Sequence, residues 1–318
     1  MKRFFKNLFI FCAFAYGTLF LLQYLVDSGL QKTFDNDYGD WNSLLEGKIK
    51  DPMVFLGSSR ADCHFDPILI QQKTGIPSYN LGFPAASLRF QRIKWKSYLE
   101  HNNPKIVIQN IDLHALWDKN GPDKKSYLPY YNDTVLFDEL EKTDHTVSIE
   151  KWIPMSKYRG FEEVMLKGIR SAFGKKYSRD KIKGYHRHEQ SWNSDFEIFK
   201  KANNGKPDYS DYDFASGITE LKELIADCKQ RKAKLILVWT PAYYELNELQ
   251  EPYFSKMKAE ISTLAQQNNI PFWDFSNGVV SRDKKYFYNA FHMNNKGVAH
   301  FCSQFSDSLN VYLKNPIP

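Results

Sequence analysis

Two serines and a histidine at opposite ends of the chain could form an acyl-transfer site. The stretch VFLGSSRADCHFDP, residues 54–67, runs from apolar residues into Gly57-Ser58-Ser59-Arg60. A serine just past a strand, at the start of a helix, is exposed and lies close to free backbone N–H groups. Those donors can hold a developing oxyanion. Such a serine becomes a nucleophile only beside a base. The stretch YNAFHMN, residues 288–294, offers His292 just before a C-terminal helical pattern. An acid three residues earlier would normally orient that imidazole through Nδ1, but the position holds Asn289. Ser59 is the candidate nucleophile, with Ser58 as the alternative. For Ser59 the plainer reading is a helix-capping serine, and for His292 a satisfied histidine at a helix start.

The elements that would position these residues alternate. Short β-like runs occur at Met53–Leu56, 77–81, 105–111, 234–240 and 270–275. Helical spacing occurs at 88–101, 217–232, 248–268 and 294–313. Strands alternating with helices of this length imply parallel β-α-β units with right-handed crossovers. Ligands bind such sheets at the carboxyl ends of the strands. Gly57-Ser58-Ser59, Gly82, the segment 110–112 and Thr240-Pro241 should therefore converge on one edge. Residues 115–214 break the alternation and are rich in Tyr, Lys, Asp and Asn, with one helical stretch near 161–173. A structureless loop of that length is improbable, so the segment reads as an insertion capping the strand ends. Its tyrosines could stack on sugars or simply pack a lid. His186 and His188 within it are a weak metal pair, and a loop is the plainer reading.

Composition narrows the class. The chain has 318 residues, 42% hydrophobic and 16% aromatic, enough for one sizeable core. A net charge of +6 with scattered basic residues argues against a nucleic-acid partner. The four cysteines include no C-x-x-C pair and no zinc spacing. Neither a metal nor a cofactor is expected. A basic flank at residues 1–6 precedes 8–26, which carries no charge and spans roughly 28 Å as a helix. It is too long for a typical signal sequence and no small-x-small site follows. Residues 1–30 are therefore expected to be an uncleaved inner-membrane anchor, residues 27–50 a tether, and the rest periplasmic or otherwise extracytoplasmic.

Three motifs in order resemble the SGNH (GDSL-type) hydrolase superfamily over about 240 residues. VFLGSS is similar to the strand and Gly-x-Ser block, with Ser59 the nucleophile and Ser58 standing for the Asp of GDS. YNLGF is similar to the oxyanion-hole block, with Gly82 as donor, and NAFHMNNKG to the D-x-x-H-x-N-x-x-G block, with His292 as base. The membrane-anchored branch, which includes the D-alanine transfer protein of teichoic-acid modification and the alginate O-acetylation proteins, is the most similar. The resemblance implies a flavodoxin-like three-layer α/β domain over 31–318, with the insertion at about 115–214. It implies an oxyanion hole of Ser59, Gly82 and Asn110. It also implies an acyl-ester hydrolase or O-acyltransferase acting on an envelope glycan, with a membrane-bound O-acyltransferase as partner. Two departures stand out. The third block, G-x-N-D, is missing after KIVI, leaving Asn110 as a loose counterpart. Asn289 replaces the triad acid, so the site could be a Ser-His dyad, could borrow Asp274 or Asp283, or could be inactive. Arg60, His64 and Asp112 are candidate substrate-binding residues. The alternative is a non-catalytic glycan-binding or assembly factor.

Overall fold

The computed structural model describes residues 1–117, 121–205 and 207–314. Positions 118–120 and 206 of the long middle segment, and 315–318, lie outside the described residues. The chain forms two compact units: Met1–Lys48 with Lys96–His101 and Asp123–Arg179, and Ile49–Trp95 with Asn102–Pro122 and Asp180–Pro318.

The second unit holds a five-stranded parallel sheet. Its strands are β1 (Met53–Leu56), β2 (Ser78–Asn80), β3 (Ile106–Ile111), β4 (Lys234–Trp239) and β5 (Phe272–Asp274), in the order β2-β1-β3-β4-β5. This is the flavodoxin-like order, with its switch point between β1 and β3. The register sets Val54 beside Val107 and Ile108 beside Ile236. Every β1 and β3 residue is buried, as expected where helices cover both faces of a parallel sheet. The helices are α3 (Ser59–His64), α4 (Pro67–Thr74), α5 (Leu88–Leu99, continuing into the other unit), α9 (Asp195–Ala202), α10 (Phe214–Gln230), α11 (Tyr244–Leu249), α12 (Tyr253–Gln267) and α13 (Asn295–Lys314). Phe301, Phe305 and Leu309 of α13 pack with Phe55 of β1 and Phe65 in one core cluster. A short antiparallel pair, β6 (Phe287–Asn289) and β7 (His292–Met293), folds the chain back before α13.

The helix expected at 248–268 is two helices. Pro252 caps α12, because proline lacks the N–H that a continuous helix needs there and its ring clashes with the preceding turn.

The first unit contains α1 (Lys2–Leu30), α2 (Gly39–Leu45), α6 (Thr134–Glu141), α7 (Thr146–Trp152) and α8 (Glu162–Ala172). Helix α1 is long and apolar enough to cross a membrane. The expected tether is not one. A Cβ on Gly29 would meet the Gly168 carbonyl oxygen at 1.9 Å, so α1 and α8 touch backbone to backbone. Asp27 pairs with Lys157 at 2.8 Å, and the Asn42 amide donates to the carbonyls of Leu30 and Thr33 at 3.1 and 2.7 Å. Trp41 and Leu44 of α2 are buried. The end of α1 is thereby fixed within its own unit.

Candidate active site

Strand β1 ends in a turn that only glycine makes easily. Gly57 sits at φ +151°, and a Cβ there would meet Asn110 Cβ at 2.8 Å. The chain then enters α3. Ser58 is its N-cap, its Oγ accepting from the Arg60 N–H at 3.3 Å and donating to Asp112 Oδ2 at 2.5 Å. Ser59 begins the helix and turns its hydroxyl the other way, 2.8 Å from His292 Nε2. The geometry thus separates the two serines: Ser58 is committed to Asp112, and Ser59 faces the imidazole.

The proton positions on His292 follow from Asn289. Asn289 Oδ1 accepts from the N–H groups of Phe291 and His292 at 3.0 and 2.9 Å. Two fixed donors identify this atom as the oxygen. It lies 3.0 Å from His292 Nδ1, so Nδ1 carries the hydrogen. The Nε2 lone pair then faces Ser59, as a base requires. Tyr288 stacks on the imidazole, centroids 5.4 Å apart and planes 9° apart, and fixes its plane. Asp274 and Asp283 do not reach this site. Asp274 pairs with Lys258, and Asp283 with Lys285 at 2.7 Å.

One carboxylate does stand behind the amide. Asn289 Nδ2 donates to Asp195 Oδ2 at 3.2 Å. The order Ser59, His292, Asn289, Asp195 is a hydrogen-bonded series in which the acid acts one residue removed. Asp195 lies 94 positions away in sequence, and no local pattern marked it.

The other predicted residues divide. Asp112 lines the cavity, with Oδ1 accepting from the Ala115 N–H at 2.9 Å. Arg60 lines it too. His64 does not, and its predicted substrate contact is corrected. It has no exposure, its Nδ1 lies 3.1 Å from Thr240 Oγ1, and its Nε2 accepts from the Met293 N–H at 3.0 Å. His64 pins the backbone next to His292. Burial, then the charges of His292 and Arg60, hold it well below the usual histidine pKa, which keeps Nε2 an acceptor. Gly82 as an oxyanion donor is also corrected. Its N–H donates to Asn80 Oδ1 at 2.8 Å. Gly82 is there for space, since a Cβ would lie 2.3 Å from the Asp62 nitrogen. Asn80 also donates to the Ala61 and Phe65 carbonyls at 2.6 and 2.8 Å, so it holds α3 against β2. Asn110 is fully buried, its amide 3.5 Å from Asp112 Oδ2, and is not part of the cavity wall. Of the three expected donors, the Ser59 N–H remains, an opening amide of α3 without an intrahelical partner. His186 and His188 lie against each other with centroids 4.3 Å apart and planes tilted by 43°. Among the described residues no group of three or more His, Cys, Asp or Glu side chains is placed to hold a metal.

A cavity of about 460 Å³ opens at this point, lined by Ser58, Ser59 and Arg60 after β1, Asp112 and His114 after β3, and His292. Its far wall is the loop after β2, where Ala85 is held at φ +58°. The cavity lies at the switch point of the sheet, where this topology splays its loops.

Burial lowers the His292 pKa to about 3, helped by the charges of Arg60 and His188 and opposed by those of Asp112 and Asp62. A base with a depressed pKa stays neutral as the pH falls below the ordinary histidine value. The acid limb of kcat/KM reports this group in the free protein. For a short acyl ester, kcat/KM should stay level from pH 8 down to about pH 5. A limb near pH 6.5 would contradict His292 as a base with a depressed pKa.

No protein family and no curated protein matches the chain. Among solved structures it is similar to an acetyl xylan esterase, at 11% identity and a TM-score of 0.44, covering 82% of this chain and 100% of that one. It is similar to a GDSL-like lipase from Bacteroides thetaiotaomicron, at 11% and 0.42, covering 86% and 98%. A candidate acylhydrolase from Bacteroides fragilis gives 12% and 0.41, covering 85% and 96%. Likeness this distant transfers no residue role.

Proposed function

We propose that the protein is a serine acyl-ester hydrolase or acyltransferase of SGNH type. The observation that carries the reading is the Ser59 Oγ to His292 Nε2 distance of 2.8 Å, with Asn289 holding Nδ1 and a cavity in front. Ser59 Oγ attacks the acyl carbonyl and its proton passes to Nε2. The tetrahedral oxyanion forms near the Ser59 N–H. Collapse expels the alcohol, which takes the proton from His292. The seryl ester is then cleaved by water, or by an acceptor hydroxyl if the reaction is transfer, with His292 again taking and returning one proton.

The finer reading places this chemistry outside the inner membrane, on acyl groups of an envelope glycan, beside a membrane-bound O-acyltransferase. The anchor-like α1 supports it. So do Ile149, Trp152 and Ile153, which stand exposed where the Tyr16 hydroxyl donates to the Trp152 carbonyl at 2.7 Å. The contact falls midway along residues 8–26, so these exposed apolar side chains suit the hydrocarbon of a bilayer. Two observations favour the second reading, a non-catalytic glycan-binding or assembly factor: the amide at residue 289 and the occupied Gly82 N–H. Hydrolysis of 4-nitrophenyl acetate by the full chain in detergent separates the two. The esterase reading predicts Ser59-dependent turnover, and none means the binding factor.

A further inference from the structure

Arg60 is 4% exposed, yet it lines the cavity beside Ser59. Its backbone N–H bonds Ser58 Oγ, but among the described residues no hydrogen bond or ion pair holds the guanidinium. Other cations withdrawn from solvent have partners: Lys157 pairs with Asp27 at 2.8 Å, Lys181 with Asp62 at 2.5 Å, and Lys94 donates to the Gly82 carbonyl at 3.3 Å. Asp112 is the acid that most favours the Arg60 charge. Its oxygens, however, are bound to the Ser58 hydroxyl and the Ala115 N–H. A buried cation without a partner is costly. Guanidinium forks match carboxylate, sulfate and phosphate groups, two N–H donors to two oxygens.

We propose that Arg60 forms an anion subsite of this cavity, and that the ester processed at Ser59 carries an oxyanion group near its scissile carbonyl. This deepens the seryl-ester reading and rests on it. The subsite has a consequence for the base. In the free protein the Arg60 charge opposes protonation of His292. An anion bound to Arg60 offsets that charge as His292 takes the Ser59 proton. A substrate with the anion would then both bind and react better than its neutral isostere.

The anion could sit on the acyl side or on the alcohol side, and two pairs of probes distinguish them. Mono-(4-nitrophenyl) succinate against 4-nitrophenyl butyrate tests the acyl side. 3-Acetoxybenzoate against phenyl acetate tests the alcohol side. Binding is measured by calorimetry on full-length Ser59→Ala, where no turnover interferes. At least one anionic probe should bind about tenfold or more tighter than its isostere, and Arg60→Met should remove the difference. Equal affinities in both pairs would overturn the proposal, as would a preference that survives Arg60→Met. Should Arg60→Met fail to fold, the comparison of isosteres on Ser59→Ala decides alone. Turnover by the wild type is scored separately. A binding preference without turnover supports the subsite and sinks the esterase reading. Turnover without any binding preference does the reverse.

Discussion

Ser59→Ala should lower kcat for a short acyl ester by about 10⁴-fold or more, the scale seen when a nucleophile is removed from a serine-histidine site. Its melting temperature should hardly move, because among the described residues the Ser59 hydroxyl bonds only His292. Ser58→Ala should show the opposite pattern. It removes an N-cap and the hydroxyl that donates to buried Asp112, at a cost of about 1–3 kcal/mol in stability. The rate should stay within about tenfold of wild type. Paired kinetics and thermal melts read both. A rate loss that follows Ser58 instead would reassign the nucleophile.

The second large effect belongs to the pair Asn289 and Asp195. In the serine proteases, replacing the triad Asp by Asn costs about 10⁴ because the histidine takes the wrong tautomer. Here the tautomer is right, since two backbone donors fix Asn289 Oδ1 toward Nδ1. Only the charge beside the imidazolium is missing. Asn289→Asp alone would set a new carboxylate about where Asn289 Nδ2 now donates to Asp195 at 3.2 Å. Two acids that close cannot both ionise freely, so the single variant should gain little. Asn289→Asp with Asp195→Asn restores a donor and an acceptor in exchanged places. That double variant should raise kcat by about tenfold or more, or roughly 1.4 kcal/mol of transition-state stabilisation. Asp195→Asn alone should cost a few-fold. The informative quantity is the non-additivity of the cycle. If Asn289→Asp alone matches the double variant, Asp195 has no hold on the site. If no member of the cycle changes the rate, the block around His292 does not supply the base.

Much of the sheet and the two ends of the site were legible in the sequence, because both are written locally. The run Met53–Leu56 into Gly57 and two serines specifies a strand, a turn and a helix start within a few residues. The spacing of Asn289 and His292 likewise places amide and imidazole within reach of each other. The alternation of apolar runs with helical spacing points to parallel β-α-β units, while the strand order is set by which strands pair. Other features depend on distant partners. His64 looked like a cavity residue until α3 turned it inward to Thr240 and Met293, 176 and 229 positions away. Asp195 could not be read at all. Two other features do carry a local signal. Asn80, two residues before Gly82, is the spacing at which an Asn side chain bonds the backbone N–H two residues on, so the Gly82 amide was already claimed. Pro252 inside an apolar helical pattern marked the break between α11 and α12. In the segment after α1, Trp41 and Leu44 are buried, so it packs within its unit and is not a free tether.

Every step proposed for this site requires Ser59 to be an activated nucleophile. The direct measurement is peptide mapping by mass spectrometry after the full-length protein is treated with a fluorophosphonate, at pH 7 and with His292→Ala alongside. One adduct on Ser59, absent in His292→Ala and with Ser58 unmodified, is the predicted result. No adduct on the wild-type protein, or an adduct on Ser59 that forms equally fast without His292, would contradict it.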